Sequence, residues 1–74
     1  MKEKLKKIFK TALEIKEDSV DVNNLNYGDN GWDSLVHMII ISEIENEFSI
    51  MLEAEDILEM SSVDKTESII LKYL

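Results

Sequence analysis

Gly31-Trp32-Asp33-Ser34-Leu35, followed at once by the largely apolar run 36–48, is the stretch on which the reading of this chain turns. Before it lies a segment rich in Asn, Asp and Gly, the residues of turns and loops. After it, apolar residues recur at the three- and four-residue spacing of a helix. Ser34 therefore stands where a loop stops and a helix begins. Its hydroxyl is expected to be exposed at the positive end of that helix, beside backbone N–H groups that lack intrahelical partners. An anionic group attached there would be stabilised.

The helix that starts at Ser34 is predicted over about 34–48. At about 100° per residue, His37, Ile40, Ile41, Ile44 and Phe48 share one face, which is read as core. Leu35, Met38, Ile39 and Ser42 fall on or near the other face. An apolar patch left exposed beside Ser34 marks an interaction surface. His37 is the chain's one histidine. It is no metal site alone, and its place on the core side argues against its serving Ser34 as a general base. A structural role is expected.

Outward toward the N-terminus, Leu5, Ile8, Phe9, Ala12 and Leu13 form the stripe of an amphipathic helix over roughly 2–16. Lysines crowd its first turn and oppose the helix dipole, so packing must hold it. From about 17 to 33 no helical period appears, and a long loop is predicted. Val20, Val22, Leu25, Tyr27 and Trp32 are its expected anchors. The Asp and Asn density there does not fit a calcium loop: with Asn24 in the first position, the required Gly falls on Asp29 and the terminal Glu on Leu35. Outward in the other direction, 53–60 reads as a short helix with Ile57, Leu58 and Met60 as its apolar contribution. Ser61 or Ser62 caps a last helix in which Val63, Thr66, Ile70 and Tyr73 are spaced three, four and three apart. The fold class is therefore all-α: a small four-helix bundle, three longer helices and one short, with a long first loop.

Composition narrows the function. The 74 residues are read as one domain, 1–74, too small to enclose a large active site. There is no Cys, so disulfides, thiolate chemistry and Cys-based zinc sites are excluded. Any thiol must be imported. No apolar run approaches the roughly 18 residues of a membrane span, and the Lys-rich start is followed by no signal-peptide core; a soluble, cytoplasmic monomer is expected. The net charge of −8 is uneven, with +4 on residues 1–16 and −12 on residues 17–74. The acidic part excludes nucleic acid as a partner and favours proteins with basic patches.

Asp33-Ser34-Leu35 at the head of an amphipathic helix, with Glu45, Glu47 and Phe48 near its end, resembles the acyl carrier proteins and the related peptidyl carrier domains. The likeness continues through Ile50 and Leu52, Glu55-Asp56 and Ser61-Ser62-Val63 at the family's spacing; residues 1–30 match in outline. The resemblance implies that Ser34, flanked by Asp33 and Leu35, bears phosphopantetheine, whose thiol carries an acyl or aminoacyl group as a thioester between enzymes. It implies no enzymatic activity in the chain itself. Implied partners are a phosphopantetheinyl transferase and the enzymes that load and transfer the acyl group. The positions expected to meet them are Leu35, Val36, Met38, Ile39 and Ser42, with the acids Glu43, Glu45, Glu55 and Asp56. Positions 36 and 39, often acidic in fatty-acid carriers, are Val and Ile here, which points to a specialised pathway such as polysaccharide modification or secondary metabolism. The alternative is a helical interaction module that uses the Leu35/Met38/Ile39 patch without a prosthetic group.

Overall fold

A computed structural model describes residues 1–16 and 21–74. Four helices follow in order: α1 (Lys2–Ala12), α2 (Ser34–Phe48), α3 (Ala54–Glu59) and α4 (Val63–Tyr73). Two short 3₁₀ turns, Val22–Asn24 and Asp29–Gly31, lie in the connection before α2. The expected bundle of three longer helices and one short is what forms. Among the described residues no helix is long and apolar enough to cross a membrane.

The first helix is shorter than its apolar spacing suggests, ending at Ala12 instead of continuing to about 16. Glu14 takes a left-handed conformation (φ 57°), and the Ile15 N–H returns to the Lys10 carbonyl at 2.9 Å. This is the closure that ends many helices, usually with Gly in the left-handed place. With Glu there instead, nothing local announces the stop. The end of α2 closes the same way, with Ser49 at φ 55° and Ile50 N–H on the Glu45 carbonyl at 3.2 Å.

Leu5 and Phe9 from α1, Ile40, Ile41 and Ile44 from α2, and Val63, Ile69 and Ile70 from α4 meet in one core with Leu52 and Met60. The loop before α2 supplies the rest: Val22, Leu25 and Trp32 are buried. Trp32 stands edge-on to Phe9, with ring centroids 4.9 Å apart. Three of the expected anchors therefore hold the loop. Tyr27 is 48% exposed and contributes less than expected, while Val20 lies outside the described residues.

The loop's polar residues are used locally. The Asp21 carboxylate accepts from Asn23 N–H at 3.1 Å and Asp29 from Asn26 N–H at 2.9 Å. Gly28, at φ 101°, provides the reversal that brings its N–H onto the Trp32 carbonyl at 2.9 Å. Tyr27 N–H reaches Ser61 O at 2.8 Å, tying the loop to the start of α4. Ser62 is the residue that caps α4, accepting from Lys65 N–H at 3.1 Å. The lysine-laden start of α1 is relieved across the bundle: Lys2 pairs with Asp64 at 2.9 Å and Glu67 at 3.4 Å on α4.

Candidate functional site

Asp33 is extended (φ −112°, ψ −172°), and its carboxylate accepts from Val36 N–H at 2.9 Å, which caps α2. The first intrahelical bond runs from His37 N–H to the Asp33 carbonyl at 2.8 Å. Ser34 is thus the first residue of a 15-residue helix, and it is exposed. With the Val36 amide taken by the cap, the amides of Ser34 and Leu35 at the helix end have no hydrogen-bond partner among the described residues. The hydroxyl therefore sits in a region of positive backbone potential, open to solvent.

Behind this helix start lies a hydrogen-bonded bridge. The buried indole of Trp32 donates from Nε1 to His37 Nδ1 at 3.0 Å, and His37 Nε2 lies 2.8 Å from the Ile57 carbonyl in α3. An indole N–H can only donate and a carbonyl can only accept. Nδ1 must therefore carry the lone pair and Nε2 the hydrogen. Both ring nitrogens are thereby occupied, so the imidazole has none to offer Ser34 as a base. The structural role expected of His37 is the one it has.

The other expected recognition residues divide. Leu35 (71% exposed), Met38 (52%) and Ile39 (44%) form an exposed apolar row along α2 from Ser34, and Ser42 and Glu43 continue it. Glu55 is exposed on α3. Val36 is half-buried and packed against the core, so it belongs to the fold as much as to the surface. Glu45 accepts from Leu52 N–H at 2.8 Å, holding the segment after α2. Asp56 accepts from the Tyr73 hydroxyl and from Lys72 Nζ at 3.1 Å, and the same Tyr73 oxygen accepts from Glu53 N–H at 3.0 Å. The Tyr73 hydrogen bond first, then Lys72, holds the Asp56 carboxyl below its usual range, and Asp56 in turn pushes the Tyr73 hydroxyl up. Two of the four acids expected to face partners are therefore committed to internal bonds.

Leu58, expected to add to the core, is instead 84% exposed, as is Met51. It adjoins Ile57, whose carbonyl meets His37, and leaves an exposed apolar side chain on α3. Six residues carry too little periodicity to orient α3, and nothing in the sequence distinguishes Leu58 from Ile57. Among the described residues no group of His, Asp and Glu side chains could hold a metal.

One family of known proteins matches this chain: that described as phosphopantetheine attachment site, over residues 3–70. No curated protein and no solved structure matches.

Proposed function

The chain belongs to the phosphopantetheine attachment site family, so it is a carrier protein and not itself an enzyme, and from that premise we propose that Ser34 is the residue that holds the group. The observation that carries this assignment is the exposed hydroxyl at the first position of α2, next to the unpartnered Ser34 and Leu35 amides. The residues present fit such a group. Nothing covers the hydroxyl, and the two free N–H groups can donate to phosphate oxygens, which the helix end favours electrostatically. The Asp33 carboxylate is turned back onto Val36 N–H, which limits its repulsion of the phosphate.

In the modification, a bond forms between Ser34 Oγ and the phosphorus of the pantetheine arm of coenzyme A. The bond from that phosphorus to the nucleotide half breaks, the nucleotide phosphate leaves, and the hydroxyl proton passes to a base of the transferase. When bound, the group supplies a thiol that carries acyl or aminoacyl cargo as a thioester, a chemistry this Cys-free chain lacks. The chain's own contribution is to tether the arm and to present a surface to enzymes.

That surface supports the finer part of the proposal, a specialised pathway rather than bulk fatty-acid synthesis. Along α2 after Ser34 it is apolar, with Leu35, Met38 and Ile39 exposed, while Glu43 on α2 and Glu55 on α3 are exposed acids. Apolar area becomes favourable only on close complementary contact, at about 25 cal/mol per Å² before the costs of association. Enzymes fitted to this carrier should therefore offer an apolar groove with a basic rim.

The test is to incubate the protein with coenzyme A and a broad-specificity phosphopantetheinyl transferase and to measure intact mass. One group should be added to wild type and none to Ser34→Ala. Addition that persists in Ser34→Ala places the attachment elsewhere; no addition to either protein leaves an interaction module using the same apolar patch.

A further inference from the structure

The geometry points to His37 as a positioning residue that locks α3 and the loop before Ser34 into one arrangement around the attachment serine. This rests on the assignment of Ser34 made above. Trp32 lies two residues before Ser34 and His37 three after it, so the indole-to-imidazole bond of 3.0 Å spans the helix start from both sides. The same ring reaches across to α3 through Nε2–H and the Ile57 carbonyl at 2.8 Å. One side chain thus joins the loop, α2 and α3.

What makes the bridge matter is the weakness of α3. It has only six residues, none of them fully buried, and a helix so short does not persist by itself. Among the described residues its side-chain ties lie on both sides, and Asp56 also pairs with Lys72 at 3.1 Å. At its N-terminal side Asp56 and the Glu53 N–H meet Tyr73 of α4. At its other side the Ile57 carbonyl meets His37, and the backbone donor to that carbonyl among the described residues, Met60 N–H, is long at 3.4 Å. Without His37, that end of α3 keeps only its apolar contacts, Ile57 against the core and Met60 within it, and the 1%-exposed Trp32 loses the partner of its indole N–H. A buried donor without a partner favours any rearrangement that reaches water.

An enzyme that must meet Ser34 and the adjoining surface together binds only the arrangement in which both are in place. If that arrangement is a fraction of the population, the apparent affinity falls by that fraction, and the step after docking is unchanged. Loss of the bridge should therefore appear in KM and not in kcat.

Three substitutions separate the halves of the bridge. His37→Leu removes both bonds. His37→Gln can place an amide donor toward Ile57, and His37→Asn can place an acceptor toward Trp32. Amide hydrogen exchange on the unmodified proteins reads the clamp whether or not Ser34 takes the group. The α3 amides should exchange about tenfold faster in His37→Leu and His37→Asn and close to wild type in His37→Gln, with α1 and α4 within about twofold throughout. In phosphopantetheinyl transfer to Ser34, KM for the carrier should rise about tenfold in His37→Leu with kcat within about twofold, and His37→Gln should recover most of it. Unchanged α3 exchange, or equal acceleration in every helix, overturns the inference. So does a KM that follows melting temperature across the variants regardless of which half is kept. If wild type takes no group at all, the Ser34 assignment fails, and hydrogen exchange alone decides the clamp.

Discussion

The second and third helices meet through His37 and Ile57 but are held by different forces. α2 buries Ile40, Ile41 and Ile44 against α1, α4 and the loop, so its place follows from apolar area removed from water. α3 buries no residue fully, packs only Ile57 against the core, and is tied by hydrogen bonds to Tyr73, Lys72 and His37. Hydrophobic burial has no direction and tolerates changes of pH and salt. Hydrogen bonds are directional, and each is lost with one atom or one proton. Ser34 thus rides on the element held by burial, while α3 depends more on directional bonds.

The largest expected effect tests the first half of that comparison. Ile44→Ala empties a position with no solvent exposure and should cost about 2–5 kcal/mol. That is comparable to the roughly 3–5 kcal/mol a domain of this size has, so its urea transition should largely disappear. Leu58→Ala on α3 should shift the same transition by less than about 0.5 kcal/mol. Similar losses at the two sites would break the contrast.

A smaller effect sharpens the reading of α2 itself. Positions 36 and 39 both depart from the acidic pattern of fatty-acid carriers, but Val36 packs on the core and Ile39 is 44% exposed. Val36→Asp should destabilise the protein by about 1–3 kcal/mol in denaturant titration through the desolvation of its carboxylate. Ile39→Glu should stay within about 0.5 kcal/mol and should alter enzyme selection instead, raising loading by enzymes with basic docking faces. Equal destabilisation by the two changes would mean that Ile39 is a packing residue too.

The smallest effect on global stability concerns the α4 anchor of α3. The folded-state pKa of Asp56 is lowered, chiefly by Tyr73 and next by Lys72. Its contribution is present above the unfolded carboxylate value of about 3.9 and is lost as pH falls through the lower folded value. Tyr73 is raised by Asp56. Its contribution is present below the unfolded phenol value of about 10 and is lost as pH rises through the folded one. Between those limits α3 should be protected in amide exchange; beyond either it should open while α2 stays closed. In Tyr73→Phe the Asp56 carboxyl should titrate closer to the ordinary value by NMR. An unmoved titration would mean that Lys72 alone sets it.

Much of the site could be read from local residues. The Asn- and Gly-rich approach and the apolar spacing after Ser34 placed a helix start at the serine, because turn formers and periodicity act within one or two turns; the Asp33 cap was seen only in the structure. The 15 residues of α2 and the capped start of α4 followed for the same reason. The exposed row Leu35, Met38 and Ile39 was visible as the face opposite the isoleucines. Leu58 was not, since α3 is too short for its faces to be told apart.

By itself, then, the sequence determined an all-α carrier with Ser34 at the head of its second helix. Tertiary structure decided where α1 stops, because Glu14 in a left-handed conformation has no local signature. It decided that Glu45 and Asp56 serve the fold, because their partners Leu52 and Tyr73 lie 7 and 17 residues away. It decided the work of His37 as well. The bond to Trp32 spans 5 residues and the bond to Ile57 spans 20, and no periodicity encodes a contact between segments that only the closed core brings together.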